Sequence, residues 1–113
     1  KHPLTQVTEY TVAPWVSKQA SQRSCHEWLI EFSHPPTDMY AFAHELNQQL
    51  CRQNSYYKDL IAGNILSILQ ITSLEPGAFR SYMRAAGKLG AQNKVIRVAN
   101  DRVIADKLHA YRI

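Results

Sequence analysis

Alternating polar and apolar residues predict two strands near the start of the chain. Residues 5–12 are rich in β-branched and aromatic side chains, which are typical of a strand, and Pro14 is expected to end it. Residues 26–32 show the same alternation and predict a second strand. The polar stretch 17–24 between them is typical of an exposed turn, so the two strands are expected to form an antiparallel hairpin.

A long amphipathic helix is predicted after the two prolines at 35–36. Thr37 or Asp38 can cap its first turn. Five apolar residues then recur at helical spacing and define one face of this helix: Met39, Phe42, Ala43, Leu46 and Leu50. Residues 54–63 predict a short helical turn or a connector, which Gly63 is expected to close in a left-handed conformation.

The middle of the chain contains its most continuous apolar run. Because residues 65–71 are largely apolar on both sides of their alternation, they are predicted to form a central strand with both faces buried. Pro76 suits the first turn of a following helix, which Gly87 and Gly90 are expected to end. Residues 92–98 are compatible with a short strand or an extended loop.

Asn100 or Asp101 is expected to cap a last helix. That helix is predicted to bury three apolar side chains: Val103, Ile104 and Leu108. The order of elements is therefore β, β, α, β, α, loop, α. We predict an α+β fold with two layers, in which helices pack on a small mixed or antiparallel sheet of about three to four strands. Residues 1–113 are expected to form a single domain.

Composition places the chain among globular proteins. Of its 113 residues, 45% are apolar and 19% are charged, which excludes a disordered or collagen-like chain. The sequence contains neither an apolar run near the roughly 20 residues of a membrane span nor the apolar core of a signal peptide at its start. Its two cysteines, Cys25 and Cys51, are expected to be reduced thiols. A cytoplasmic location is the resulting prediction.

Positive charge is concentrated toward the end of the chain, although the net charge is only +4. From Arg80 onward, the sequence contains eight Lys or Arg residues and only two acidic residues, Asp101 and Asp106. Such a basic end can meet nucleic acid, a phosphate-bearing ligand or an acidic neighbouring domain. From charge alone, a solvated surface is the simpler interpretation.

The sequence does not contain a complete active site. The five histidines are far apart and have no zinc-binding spacing, so no metal site is predicted. His26 and Glu27 are adjacent on a strand and should point to opposite faces, which argues against an acid–base pair. Residues 85–94 contain two glycines but lack the spacing and the closing Lys-Ser or Lys-Thr of a phosphate-binding loop.

Lys94 and Arg97 are the candidate site residues. A lysine on a loop can approach a phosphate or acyl oxygen as a point charge, because its ammonium group ends a flexible stem. Arg97 could bind a carboxylate with two parallel hydrogen bonds. The spacing alone favours a solvated basic loop over a site.

Three segments together carry a family resemblance: VTEYTVAP at 7–14, HEWLIEF at 26–32 and QNKVIRVANDRVIADKL at 92–108. They resemble the C-terminal domain of the auxin-responsive Gretchen Hagen family of acyl acid amido synthetases, which are acyl-adenylate-forming enzymes. A Gly-x-Phe-x-x-Tyr segment lies between them, formed by Gly77, Phe79 and Tyr82. Family members usually have Lys-x-Pro-Arg where this chain has Lys-Val-Ile-Arg at 94–97, so one backbone constraint is missing.

The resemblance implies a mobile lid domain that is inactive alone and binds no cofactor by itself. A larger N-terminal domain of the same chain would bind ATP, Mg²⁺ and the substrates. The reaction would join a carboxylic acid to AMP, release pyrophosphate and pass the acyl group to an amine such as an amino acid. Lys94 would be catalytic and face the nucleotide phosphates, while Arg97 would bind phosphate or lock the loop. No membrane or nucleic-acid partner is expected.

Two other functions fit the residues without the resemblance. One is a self-sufficient α+β binding module whose basic end holds an anionic ligand or RNA, which would need exposed aromatic residues on the sheet. The other is a dimerisation domain, for which the first strand could supply an unpaired edge.

Overall fold

The computed structural model describes residues 5–15, 24–63, 66–87 and 95–113. The elements follow one another in this order: β1 (Gln6–Trp15), β2 (Cys25–His34), α1 (Met39–Gln53), α2 (Ser55–Ala62), β3 (Gln70–Leu74), α3 (Ala78–Ala85), α4 (Val103–Leu108) and a final 3₁₀ turn (His109–Tyr111). Lys94 lies outside the described residues, as do Gly90 and all of the predicted turn except Ser24.

The described strands form one sheet with the order β1-β2-β3. β1 and β2 are antiparallel, which confirms the predicted hairpin pairing, and β3 runs parallel to β2. The α+β prediction, with a small mixed sheet and helices packed on it, is therefore confirmed. The structure adds one feature to the predicted two-layer arrangement, because helices lie on both faces of this sheet.

Residues on β2 show how the helices are divided between the faces. Phe32 meets Phe42 of α1 in an edge-to-face contact with ring centroids 5.7 Å apart. The adjacent Glu31, which points to the opposite face, accepts backbone hydrogen bonds at the start of α3. On that second face, α3 and α4 enclose a buried core with the sheet: Ala13, Leu29, Leu74, Ala78, Phe79, Tyr82, Met83, Ala105 and Leu108.

The central strand is β2, so the prediction of a central strand at 65–71 was wrong. The third strand begins at Gln70 and lies at the edge of the described sheet, and Ile68 is 39% exposed. On β2, by contrast, even Glu27 and Glu31 are buried. The two charged residues make the most buried strand of the sheet look half-exposed in the sequence, although a buried charge is tolerated where partners surround it.

β1 continues through Pro14 to Trp15, so the prediction that Pro14 ends the strand was wrong. The N–H of Val12 points away from β2, since it donates to the carbonyl oxygen of Arg97 at 2.8 Å. Pro14 is two residues further on, and its nitrogen therefore faces the same outer edge. No β1–β2 hydrogen bond is lost there, and Pro14 pairs with His26 across the ladder.

Side-chain caps define the starts of the first two helices. Asp38 caps α1 by accepting a hydrogen bond from the Ala41 N–H at 3.0 Å, as expected of one of the two candidates. Asn54 caps α2 in the same way through the Tyr57 N–H, so residues 54–63 contain a true helix. Gly63 ends that helix with φ −82°, and the expected left-handed conformation was wrong.

A buried carboxylate from the sheet caps α3. Glu31 accepts hydrogen bonds from the Gly77 N–H at 2.9 Å and from the Phe79 N–H at 3.0 Å. Gly77 adopts φ +85°, a left-handed conformation that glycine reaches without steric cost. The predicted helix is confirmed, and its first turn is joined to the middle of the sheet.

The last helix is confirmed, but one of its predicted core residues is exposed. Val103 is 56% exposed, whereas Leu108 is fully buried. Asp101 accepts a hydrogen bond from the Val103 N–H at 3.0 Å. The chain then returns to the sheet, where the Ile113 N–H donates to the Ser73 carbonyl oxygen and extends the edge of β3.

Candidate functional site

Residues 95–102, which we call the basic loop, run beside β1. The Val12 N–H donates to the Arg97 carbonyl oxygen, and the Ala99 N–H donates to the Val12 carbonyl oxygen, each at 2.8 Å. The buried hydroxyl of Thr11 also donates to the Ile96 carbonyl oxygen at 2.8 Å. The described part of the segment predicted as a strand or loop is thus extended, with one parallel bridge between Val12 and Val98.

Arg97 lies on the outer edge of the sheet, and its side chain is 60% exposed. Its Nε donates to Glu9 Oε1 at 3.0 Å, and its guanidinium carbon lies 5.3 Å from the centre of the Tyr10 ring. The Tyr10 ring in turn stacks on Trp28 at 5.4 Å. The hydrogen bond and the charge of Glu9 raise the pKa of Arg97, so the guanidinium remains charged.

One strand further into the sheet, a buried carboxylate of β2 binds side chains from the end of the basic loop, from β3 and from the final 3₁₀ turn. Glu27 of β2 is 6% exposed. Its Oε1 forms an ion pair with Arg102 Nη1 at 2.7 Å, and its Oε2 lies 2.8 Å from His109 Nε2. The Thr72 hydroxyl of β3 donates to the same Oε2. We call these four residues the Glu27 cluster.

Sequence reasoning missed the Glu27 cluster. Its members are spread from residue 27 to residue 109, and nothing local links them. The signal in the sequence is the charge of Glu27 directly before the apolar run 28–30 of a strand. The expected separation of His26 from Glu27 is confirmed, because His26 stacks on Tyr57 of α2, on the other face of the sheet, at 5.7 Å.

A small cavity of about 280 Å³ adjoins the cluster. Seven residues line it: Trp15, Cys25, Glu27, Gln70, Thr72, Arg102 and His109. Burial would raise the pKa of Glu27, but hydrogen bonds from Thr72 and Arg102 and the charges of His109 and Arg102 lower it overall. Burial and the neighbouring Glu27 charge raise the pKa of the Cys25 thiol. The carboxylate is therefore held ionised beside an unreactive thiol.

Comparison with known proteins decides the family. The model of the family described as "GH3 family C-terminal domain" matches residues 1–103. The chain belongs to this family. The solved structure titled GH3.15 acyl acid amido synthetase has a TM-score of 0.74 at 16% identity, over 98% of this chain and 21% of that chain. A second structure, titled AtGH3.15 acyl acid amido synthetase in complex with 2,4-DB, gives 0.73 with the same identity and coverage.

The structural similarity extends over 98% of this chain and shows that it shares the fold of the matching part of both solved structures. The chain spans 21% of the length of both solved structures. No curated protein sequence matches the chain. Family membership confirms the resemblance that was recognised in its three sequence segments.

Other features of the GH3 C-terminal domain bear on the remaining predictions. Within residues 5–15, 24–63, 66–87 and 95–113, no group of three His, Cys, Asp or Glu side chains could hold a metal ion. In the same part of the chain, no helix is long and apolar enough to cross a membrane. Cys25 and Cys51 are free thiols, as expected.

The ionised Glu27 should make the stability of the domain depend on pH. Because the pKa of Glu27 is lowered, its stabilisation is present above the ordinary value of about 4.3 and is lost as pH falls through the lowered value. Urea denaturation of wild type and Glu27→Gln should therefore differ at pH 7 and converge in acid. The other ionisable or charged groups facing the carboxylate are Cys25, Arg102 and His109.

Glu75→Gln is the matched control for this titration, since Glu75 is exposed. Its free energy of unfolding should follow that of wild type at every pH. A gap between wild type and Glu27→Gln that stays constant into strong acid would show that folding does not lower the pKa of Glu27.

Proposed function

We propose that this chain is the C-terminal mobile domain of an ATP-dependent acyl acid amido synthetase. In this proposal it is inactive without the N-terminal ATP-binding domain of the same polypeptide, and it works in the cytoplasm. The observation that carries the proposal is the family match over residues 1–103, together with a fold shared over 98% of the chain. The complete enzyme would adenylate a carboxylic acid, release pyrophosphate and transfer the acyl group to an amine.

Lys94 is proposed as the catalytic residue of this domain. It directly precedes Val95, where the described basic loop begins. A cation there would offset the negative charge that develops as pyrophosphate leaves, and such stabilisation acts where charge changes in the transition state. The lysine of the family segment is retained, although proline is replaced by Ile96.

Arg97 is proposed to lock the basic loop, with phosphate binding as its second possible role. Its ion pair with Glu9 and its position over Tyr10 support the locking role. Because its side chain is 60% exposed, the guanidinium could also approach a nucleotide phosphate from another domain. The two roles are compatible if Glu9 is exchanged for phosphate during the cycle.

ATP and Mg²⁺ are assigned to the complete enzyme. Among the described residues, the exposed charge of Arg97 is suited to the phosphates of a nucleotide. They contain no cluster of side chains suited to a metal ion, so Mg²⁺ would be held by the other domain and by the phosphates. This domain would contribute positive charge, and the substrates would bind in the N-terminal domain.

The test is pyrophosphate release by the full-length enzyme with ATP and a panel of carboxylic acids. Lys94→Ala should lower the adenylation rate at least tenfold, which corresponds to about 1.4 kcal/mol of transition-state stabilisation. Lys107→Ala removes an exposed lysine of α4 and should leave the rate unchanged.

If the wild-type enzyme adenylates no acid, or if both lysine variants behave like wild type, the proposal fails. The alternative, a binding module for an anionic ligand or RNA, would then lead. One observation already weighs against that module, since Phe32 is only 4% exposed and is covered by α1. Tyr10 and Trp28 are half-buried and stack on each other, which leaves little aromatic surface for bases.

A further inference from the structure

The basic loop is held to β1 near its start, where the Thr11 hydroxyl donates to the Ile96 carbonyl oxygen and Arg97 pairs with Glu9, and at two further points. In its middle, Arg97 and Ala99 exchange backbone hydrogen bonds with Val12. At its end, the Arg102 side chain reaches under the sheet, where Nη1 lies 2.7 Å from Glu27 Oε1 and also donates to the Pro14 carbonyl oxygen at 3.3 Å. The attachments to β1 combine backbone hydrogen bonds with the side chains of Thr11 and Glu9. The attachment at the end of the loop depends on the Arg102 side chain, which also forms an ion pair with Asp106 of α4 at 3.2 Å.

Glu27 is suited to fix the loop because it is itself immobile. It lies on the central strand, which pairs with a neighbour on each side. His109 and Thr72 bind its second oxygen and hold the carboxylate toward Arg102. Arg102 must therefore adopt one position to satisfy a buried charge, and the loop that ends at Arg102 is placed with it.

We propose that Glu27 is a positioning residue, which sets the place of the basic loop through Arg102. The inference rests on the proposed function, in which this loop follows the catalytic Lys94 and presents Arg97 toward the nucleotide. Glu27 is buried on β2, one strand away from the edge where the basic loop pairs with β1, so it would act through Arg102 without touching the substrate. A buried ion pair contributes less to net stability than to specifying one arrangement, and that is the role assigned to it here.

The sheet provides a matched control. Glu31 is also a carboxylate on β2, is 7% exposed and points to the same face as Glu27. It contacts the start of α3, however, and has no hydrogen bond with the basic loop among the described residues. Glu27→Gln and Glu31→Gln therefore remove equivalent charges with different connections.

The experiment is hydrogen exchange of the full-length enzyme, measured at the amide of Ala99, which donates to Val12. Glu27→Gln should accelerate this exchange at least tenfold, whereas Glu31→Gln should leave it near the wild-type rate. Arg102→Gln should match Glu27→Gln, and the double variant should exchange no faster than either, because both changes break one connection. The turnover number for adenylation should fall about tenfold in Glu27→Gln, with the KM for the acid unchanged.

Unchanged exchange in Glu27→Gln, or equal acceleration in Glu31→Gln, would overturn the positioning role. Additive effects of Glu27→Gln and Arg102→Gln would also overturn it, since the two residues would then act separately. Failure of the proposed function gives a different result, in which the wild-type enzyme adenylates no acid while the exchange contrast between the two glutamate variants is still present.

Discussion

Replacing Leu29 with alanine should lower the free energy of unfolding by about 3 kcal/mol. Leu29 is fully buried in the middle of β2 and belongs to the core between the sheet and helices α3 and α4. The substitution removes the transfer free energy of its side chain and leaves a cavity, since the paired strands on both sides limit how far the sheet can collapse. Urea denaturation at neutral pH measures the loss.

Val7→Ala is the control for this change, because Val7 lies on β1 with 46% of its surface exposed. Its effect should stay within about 0.5 kcal/mol. If Leu29→Ala cost no more than Val7→Ala, β2 could not be the buried centre of the sheet.

Replacing Glu31 with alanine should cost about 2 kcal/mol. Its carboxylate accepts hydrogen bonds from the Gly77 and Phe79 N–H groups, and Phe79 is buried. Without Glu31, both donors at the start of α3 lose their acceptor and the helix loses a negative charge at its positive end. Denaturation of Glu31→Ala, followed by circular dichroism, measures the effect.

Two comparisons test the capping role of Glu31. Glu31→Gln keeps one side-chain oxygen and should recover part of the loss, while Glu75→Ala removes an exposed carboxylate nearby and should change little. A full loss in Glu31→Gln would mean that the charge matters more than the hydrogen bonds. A negligible loss in Glu31→Ala would contradict the cap.

Local chemistry explains the parts of the fold that could be predicted. The alternation in β1 and β2, the spacing of apolar residues in α1 and the cap at Asp38 each depend on residues close together in the sequence. The same is true of the three segments at 7–14, 26–32 and 92–108, which together carry the family resemblance.

Predictions failed where the outcome depended on distant partners. The apolar run 65–71 resembled a central strand, yet the parallel partner of β2 begins only at Gln70. Glu27 and Glu31 are charged positions in the alternation of residues 26–32, yet both are buried. A carboxylate can be buried only when donors surround it, and those donors come from helices and strands more than 40 residues away.

The sequence by itself determined the types of most elements, the start of α1, the α+β class and the family, because backbone propensities, caps and side-chain periodicity act over a few residues. Only the tertiary structure decided which strand is central, where Pro14 is tolerated and how Arg102 meets Glu27. Those features follow from the pairing of segments far apart in the chain, and the energy of a buried charge is set by the groups that folding brings around it.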